Sequence, residues 1–313
     1  MQRLYILLSA FLLLMSHHSL LGQGCSDSGF CTMGALKPDQ PFSKKATIRL
    51  NSVELTQHFG LTKYNDQIHS TFVDANISIG SKTNFHARLP AYTIIAGKMP
   101  TTSGWGDLFL NLSRKVVSTD QYQIHVSLGA KIYTSQPDKR SSDGLPMPLY
   151  QQTTYGSNDL NGGISFLNRQ WMFSLGYQRA LNQIRNEFTS EQWVGHSLYD
   201  VVKVYDRSSG LQRGDDLMVR AERNFRLSRF NFYVGTLNLW RVTQDKTLNE
   251  SGQLTSVEGS QGLASNLLIG GGFQFNSRSG IRLLTSTRLK ERDANPDGLS
   301  RDFIAQISYI LRF

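Results

Sequence analysis

A set of ionisable side chains recurs at the polar positions of alternating segments along the chain. They are Arg88, Lys115, His125, Lys131, Arg220, Glu222, Arg282 and Arg288. Each belongs to a run in which polar and apolar residues alternate, as in a β-strand with two different faces. If the polar faces line the interior of a barrel, cations exceed anions on that wall. The pattern predicts either a pore whose charged wall selects anions or polar solutes, or a wall whose charges pair with one another and fill the interior.

Catalytic chemistry is not indicated by the motifs in the chain. His125 and Ser127 stand two apart, as the His and Ser of outer-membrane phospholipases do, but those enzymes place the pair on the lipid-facing side. Here the two residues share the polar, glutamine-rich face. The sequence has no Gly-x-Ser-x-Gly elbow, no zinc-type spacing of His and Cys and no phosphate-binding loop. The acidic residues at 215–216 and 293–297 lack the spacing of a calcium loop. We therefore expect no enzyme, no cofactor and no metal.

Charge and hydropathy exclude two classes of protein. The chain has 313 residues, a formal charge of +9 and a hydrophobic fraction of 39%. Beyond the first residues no apolar run approaches the roughly 18 residues of a membrane-spanning helix, which excludes a helical membrane protein. The basic residues are spread singly, so the sequence pI near 9.6 indicates surfaces and loops that face lipopolysaccharide and not a nucleic-acid site.

The first residues have the pattern of a secretory signal peptide. Arg3 precedes an apolar stretch from Leu4 to Met15, which is too short to span a membrane, and small and polar residues follow. We expect residues 1–23 to be the signal peptide, 24–45 a periplasmic N-terminal segment and 46–313 the barrel. Cys25 and Cys31 could form a local disulfide, stay as free thiols or, at Cys25, carry a lipid.

Twelve alternating segments fill the rest of the chain and predict an all-β fold. They lie at 46–57, 70–80, 83–94, 105–117, 121–134, 159–168, 170–184, 215–225, 230–244, 264–276, 280–290 and 301–313. Their connections alternate between short turns and long polar loops, the latter at 58–69, 95–104, 135–158, 185–214, 245–263 and 291–300. Short periplasmic turns and long extracellular loops are typical of a transmembrane antiparallel β-barrel of about twelve strands.

The last segment adds a signal for assembly. Phe303, Ile307, Tyr309 and Leu311 share its apolar face with Phe313, at which the sequence stops. This ending resembles the C-terminal signature that the barrel-assembly machinery reads. Together with the leader, it predicts a multi-pass protein of the Gram-negative outer membrane that is inserted after export across the inner membrane.

Short motifs in the middle of the chain suggest a family. They are Trp105-Gly106-Asp107-Leu108, Leu128-Gly129-Ala130-Lys131-Ile132, Gly156-Ser157-Asn158-Asp159 and a strand from Trp171 to Gly176-Tyr177. Between 105 and 190 the chain resembles the outer-membrane barrels associated with the meta pathway of phenol degradation, relatives of the long-chain fatty acid transporters. Where that family has Pro-Thr-Gly, this chain has Tyr133-Thr134-Ser135. The resemblance implies uptake of small, often hydrophobic, molecules.

The sequence therefore predicts an outer-membrane channel or transporter for a small hydrophobic or anionic molecule. The loops at 135–158 and 185–214 are expected to gate it or to select what enters. The alternative is a closed structural barrel whose external loops bind a partner, with Trp193, Tyr199 and Tyr205 as candidate contacts.

Overall fold

The computed structural model describes residues 48–313, which form one antiparallel barrel. The predicted signal peptide, the segment 24–45 and both cysteines lie outside the described residues. The strands are β1 Ile48–Leu61, β2 Gln67–Ile79, β3 Thr83–Arg88, β4 Tyr92–Ala96, β5 Thr102–Trp105, β6 Leu108–Ser118, β7 Tyr122–Ile132, β8 Asp159–Asn168, β9 Trp171–Ala180, β10 Asp216–Leu227, β11 Phe230–Arg241, β12 Lys246–Leu248, β13 Leu254–Ser256, β14 Gly262–Gln274, β15 Ser279–Lys290 and β16 Phe303–Arg312.

The barrel closes between its first and last strands. β1 pairs with β16 from Ser52 opposite Arg312 to Leu61 opposite Phe303, and its other edge pairs with β2. Every other neighbouring pair in the ring is also antiparallel. A closed ring leaves no strand edge unpaired, which a wall surrounded by hydrocarbon requires.

The sheet contains 14 strands, but the wall has twelve, because two of the wall strands are each interrupted and counted as two. β3 and β4 both pair with β2 and act as one strand, broken at Pro90, which has no N–H to donate to a ladder. β5 and β6 form the next strand, broken at Gly106 and Asp107. The hairpin β12–β13 lies outside the wall. The predicted count of twelve is thus confirmed.

The connections differ from the prediction at two places. Loops predicted at 58–69 and 95–104 shorten to 62–66 and 97–101, because β1 continues to Leu61, β2 begins at Gln67 and β5 begins at Thr102. In this extension His58 and Gly60 face inward and are buried, while Phe59 and Leu61 are half-buried, so the strand alternation continues through residues that were predicted to be a loop. The other four long loops and the short turns lie where they were predicted.

The two faces of the wall have opposite character. Along β7, Val126 and Leu128 are exposed on the outside, whereas His125, Ser127 and Lys131 are buried on the inside. Large apolar side chains are exposed on the outer face of strand after strand, for example Leu55, Leu112, Ile164, Leu175, Val234, Ile269, Leu283 and Ile307. An apolar belt around a closed barrel matches the hydrocarbon of a bilayer.

Aromatic rings cluster on the outer face at the short-turn end. Phe225 stacks on Phe232 with ring centroids 4.5 Å apart, and Phe230 lies 4.6 Å from Phe273. Rings at this height suit the interface between hydrocarbon and headgroups. No helix within residues 48–313 is long and apolar enough to cross a membrane.

Candidate functional site

Six of the eight candidate wall residues take part in ion pairs on the inner face. Arg88 binds Asp74 through both Nε and Nη2, at 2.8 and 3.1 Å, and stacks on Phe72. Arg220 pairs with Glu222, its neighbour two positions along β10. The other pairs are Lys131 with Asp159, Arg282 with Glu54, and Arg288 with Glu291 and Asp302. Within the wall, most of the cationic charge is therefore matched by carboxylates.

Lys115 and His125 lie opposite each other on β6 and β7. His125 is fully buried and its Nε2 lies 3.3 Å from Oε1 of Gln123. Ser127, the other half of the predicted His and Ser pair, donates to the carbonyl of Gly163. Both side chains face the interior and not the lipid. The role of the eight candidates in contacting a solute stays a prediction.

A buried network of charges lies at the long-loop end of the barrel. Arg241, at the end of β11, makes a two-point contact with Asp216 of β10 at 2.7 and 3.0 Å. Its Nη2 also donates to Asp297, 2.8 Å away in the loop 291–302. We call the whole set the latch network: Lys131, Arg213, Arg241 and Arg292 with Asp159, Asp216, Asp245 and Asp297. Four cations face four carboxylates.

The network is held together by carboxylates that each serve several cations. Asp159 accepts from Lys131, Arg213 and Gln178, with Arg213 at 2.8 Å. Asp297 accepts from Arg241 and Arg292 and is completely buried. A buried charge is tolerated only when partners replace its water. Removing any one carboxylate would take away an anion that at least two buried cations share.

The pKa values of two carboxyl groups in the loops are shifted in opposite directions. Burial alone would raise the pKa of Asp297, but the guanidinium groups of Arg292, Arg241 and Arg213 outweigh burial and hold it well below its usual range. Burial raises the pKa of Asp66, although hydrogen bonds from Tyr205 and Thr62 oppose the shift. Asp297 is thus the carboxylate whose charge the network stabilises most clearly.

The loop 291–302 crosses the mouth of the barrel. It connects β15 to β16, which lie diametrically opposite β7 and β8 in the ring of twelve wall strands. Nevertheless Gly298 lies against the backbone of Leu149 and Tyr150, in the loop 133–158 that joins β7 to β8. A Cβ added at Gly298 would come within 2.9 Å of both residues, and its φ is +65°. Only glycine fits this close approach.

The remaining loops pack onto this crossing and form a lid. We define the lid as the loops 62–66, 97–101, 133–158, 181–215, 242–261 and 291–302. Trp193 is completely buried and donates from Nε1 to the carbonyl of Pro146, 3.0 Å away. Tyr205 donates to Asp66 at 3.0 Å, and its ring lies 4.3 Å from that of Tyr64. Around them lies an apolar cluster of Met99, Met147, Tyr150, Phe188 and Val202.

The lid corrects the expected role of the aromatic residues in the loop 185–214. Trp193 and Tyr205 are core residues of the lid and Tyr199 is packed against the same cluster, so they do not form an exposed contact surface. The loops 135–158 and 185–214, whose role in entry stays a prediction, contact each other. Asn186 donates to the carbonyls of Pro137 and Met147 at 3.0 and 3.2 Å.

Most members of the latch network were missed by sequence reasoning. Only Lys131 was a candidate, while Asp216 and Asp297 were considered and set aside as calcium ligands. The signal that could have found them is the placement of Asp159, Asp216 and Arg241 at strand ends beside the long loops. Within residues 48–313, no group of three or more His, Cys, Asp or Glu is arranged to hold a metal ion.

The ring of paired strands and the apolar belt together define a transmembrane antiparallel β-barrel. Among solved structures, an outer-membrane channel from Pseudomonas putida F1 superposes with a TM-score of 0.57 and 11% sequence identity, covering 88% of this chain and 100% of its own. The NanC porin covers 85% of this chain and 100% of its own, with a TM-score of 0.46 and 9% identity. The match to the translocator domain of the autotransporter NalP from Neisseria meningitidis covers 86% of this chain and 90% of that domain, with a TM-score of 0.44 and 10% identity.

Likeness at these identities shows the fold and not the activity. No protein-family model and no curated protein matches the sequence. The resemblance to barrels of the phenol meta pathway and the fatty acid transporters therefore stays a prediction.

Proposed function

We propose that this protein is an outer-membrane channel for small solutes, and that its own external loops close the mouth in the conformation described. The observation that carries the proposal is the opposition of the two faces of the wall: apolar outside, charged and hydroxyl-rich inside. A barrel that served only as a membrane anchor has no need of ionisable side chains on most of its inner face, because burying each charge costs free energy unless it is paired.

Loop lengths orient the channel. In bacterial barrels the short turns face the periplasm and the long loops face the outside. The lid is then extracellular, and the latch network lies where an entering solute would first meet the interior. Export by the predicted signal peptide and insertion by the assembly machinery are part of this proposal.

The lid supports gating because it is polar where it meets the wall. Thr102 of β5 donates to the carbonyl of Gln151 in the loop 133–158 at 2.7 Å, and Lys131 of β7 donates to the hydroxyl of Ser157 in the same loop at 2.8 Å. Contacts of this kind can exchange with water when the loops move, whereas an apolar plug would resist wetting. Movement of the loop 291–302 would remove Asp297 from the latch network and open a path beside β11 and β14.

The second candidate is a barrel that stays shut. It is favoured by one observation: most inner side chains, including those of Ser70, His125, Ser165 and Gln178, are almost completely buried. In a barrel that stays shut, the ion pairs of the wall would only fill and stabilise the interior. The partner contact that sequence reasoning assigned to Trp193 and Tyr205 loses its support, because both residues are inside the lid.

Liposome swelling separates the two functions. Purified full-length protein would be reconstituted and challenged with a neutral pentose, alongside a variant in which residues 293–299 are replaced by two glycines. We expect slow swelling for the wild type and a several-fold faster rate for the shortened variant. A matched control shortens the exposed tip 250–253 of the β12–β13 hairpin, a part of the lid that contributes no residue to the latch network, and should leave the rate unchanged. If both shortened variants insert correctly and stay solute-tight, the shut barrel is favoured and the channel is rejected.

A further inference from the structure

The two ends of the barrel carry formal charges of opposite sign. The five short turns contain four basic residues and one acidic residue, whereas the six loops of the lid contain eleven basic and fifteen acidic residues. The basic residues of the short turns are all exposed, and within residues 48–313 none of them makes an ion pair; they are Lys82, Arg169, Arg229 and Arg278. The short-turn end therefore presents unbalanced positive charge to its surroundings.

Three exposed arginines lie on or beside two adjoining short turns. The turn that joins β8 to β9 carries Arg169, and the turn that joins β10 to β11 carries Arg229, with Arg226 just before it at the end of β10. β9 and β10 are paired, and the N–H of Asn224 donates to the carbonyl of Gln170 at 2.6 Å, which holds the two turns side by side. The fold thus groups three guanidinium groups on one part of the rim.

A fourth arginine, Arg223, lies on the outer face of the wall close to these turns. It is paired with Trp171 on β9 and with Val234 on β11, and both of those side chains are exposed on the lipid-facing side. Its Cζ lies 4.9 Å from the centre of the Trp171 ring and 5.7 Å from that of Phe225. Within the described part of the chain Arg223 makes no ion pair, so its charge is met by aromatic rings and not by a carboxylate.

β9 shows the opposite arrangement at its other end. Arg179 shares the outer face of this strand with Trp171, and its side chain is 66% exposed. The Nε atom of Arg179 lies 3.8 Å from Oδ1 of Asp215, which also accepts a hydrogen bond from Tyr177. The outward arginine at the long-loop end thus has a carboxylate of the protein beside it, whereas Arg223 at the short-turn end has an acceptor of negative charge only if one comes from outside the chain.

A phosphate group of the surrounding lipid is the acceptor that this position favours. An arginine on the lipid-facing wall beside an aromatic girdle lies at the height of the headgroups, into which long cationic side chains extend. Guanidinium groups bind phosphate through two parallel hydrogen bonds and also stack on aromatic rings. Four arginines without a carboxylate would repel the ammonium group of a zwitterionic headgroup, so a headgroup with net negative charge is favoured.

We propose that four arginines beside Trp171 form a binding site for the phosphate of an anionic glycerophospholipid. We call them the basic patch: Arg169, Arg223, Arg226 and Arg229. The leaflet rests on the orientation given in the proposed function: because the short turns face the periplasm, the lipid belongs to the inner leaflet of the outer membrane. The site itself needs the wall and its turns, and does not depend on conduction.

Tryptophan fluorescence measures lipid binding at this site. Full-length protein carrying Trp105→Phe and Trp240→Phe, the parent protein, would be reconstituted in phosphatidylcholine bilayers with increasing fractions of brominated phosphatidylglycerol, which quenches tryptophan at short range. Trp171 then reports the lipid, because Trp193 is completely buried in the lid. We expect phosphatidylglycerol to bind beside Trp171 several-fold more tightly than brominated phosphatidylcholine does.

Substitutions locate the preference on the basic patch. Arg223→Gln should lower it about fivefold, the effect of removing one cation at a membrane surface, while Arg223→Lys keeps the charge and should retain most of it. Arg179→Gln is the matched control, because it removes an outward arginine from the opposite end of the wall, and it should behave as the parent protein does. The exposed pair Arg226→Gln and Arg229→Gln tests the site even if Arg223→Gln does not fold.

The outcomes separate the lipid site from the channel. Equal quenching by the two brominated lipids in the parent protein would overturn the site, as would patch variants that keep the preference shown by Arg179→Gln. Loss of the preference on adding inorganic phosphate at constant ionic strength would mean that the patch takes a free anion, and would also overturn the lipid site. A solute-tight barrel that prefers phosphatidylglycerol leaves the site standing while the channel function fails. A conducting barrel without the preference keeps the channel and rejects the site.

Discussion

The two ends of this barrel are held together by different kinds of contact. At the short-turn end the strands are joined by a few residues, and the contacts that stand out are stacked rings on the outside, such as Phe225 on Phe232. At the long-loop end the contacts are buried charges and crossing loops, with Asp297 shared by Arg241 and Arg292. The wall is built by local alternation, whereas the lid depends on partners far apart in sequence. The variants below test whether the ends are as independent as this difference implies.

The largest effect is expected from Asp297→Asn. The amide cannot balance three neighbouring guanidinium groups, and breaking a buried ion pair by removing one partner costs about 3–5 kcal/mol. Because the loss falls on the lid, the loop 291–302 should become open to limited proteolysis while the wall stays intact. Mass spectrometry of the fragments would locate the cuts.

Asp293→Asn is the matched control for that change. Asp293 lies in the same loop and is exposed, so losing its charge should leave the cleavage pattern as in the wild type. Equal resistance of both variants would mean that the latch network does not hold the lid.

The next largest effect is expected from Leu128→Arg, a substitution on the outer face of the wall. Leu128 is exposed at 57% in the apolar belt of β7, and a cation on the lipid face costs about 2–4 kcal/mol near the midplane of a bilayer. We expect weaker folding into vesicles, measured by urea titration, with an unchanged cleavage pattern of the lid in the molecules that do insert. Leu128→Met keeps the apolar surface and should fold as the wild type does.

A substitution of intermediate effect is Gly298→Ala. Its added Cβ meets the backbone of Leu149 and Tyr150, so overpacking of about 1–3 kcal/mol adds to the strain of a positive φ. Gly144→Ala is matched, since Gly144 also has a positive φ, of +79°, but nothing lies within 4 Å of the added Cβ. Hydrogen exchange of the loops should rise only in Gly298→Ala. The same rise in both variants would mean that backbone strain, and not the crossing of the loops, is responsible.

The sequence predicts the wall of the barrel far better than it predicts the lid. The strands of the wall follow from a period of two, and the positions of Val126, Leu128 and Lys131 on opposite faces agree with that period. The error at 58–69 began at His58, a polar residue at which the predicted strand ended although the ladder with β16 continues to Leu61. Alternation cannot distinguish a polar strand end from a polar turn.

The lid could not be predicted because its contacts have no local period. Arg213, Arg241 and Asp297 are separated by dozens of residues, and they meet because β10, β11, β14 and β15 are neighbours in the ring and their long loops lie at the same end. The fully buried Trp193 looked like a surface aromatic because charged residues surround it in the chain. Its partner, the carbonyl of Pro146, lies in another loop.

The smallest effect is expected on mild acidification. The pKa of Asp297 is lowered in the folded protein, so the stability it contributes is present above the ordinary carboxylate pKa of about 3.9 and is lost only as pH falls through the lowered value. Arg213, Arg241 and Arg292 stay charged throughout, and the neighbouring Asp245 has a raised pKa because burial outweighs the field of Arg241. Limited proteolysis between pH 7 and pH 4 should show a lid that stays closed. Opening with a midpoint inside that window would contradict this account, because the pKa values of Asp66 and Asp245 are raised and their protonation favours the closed lid.

Single-channel recording of the purified protein in a planar bilayer tests the central claim, that the barrel is a channel shut by its own lid. The wild type should show rare, brief openings, while Asp297→Asn inserted at the same density should conduct for most of the recording, and Asp293→Asn should behave as the wild type does. Silence from Asp297→Asn, with insertion of the barrel verified and its loop 291–302 accessible to protease, would contradict the claim.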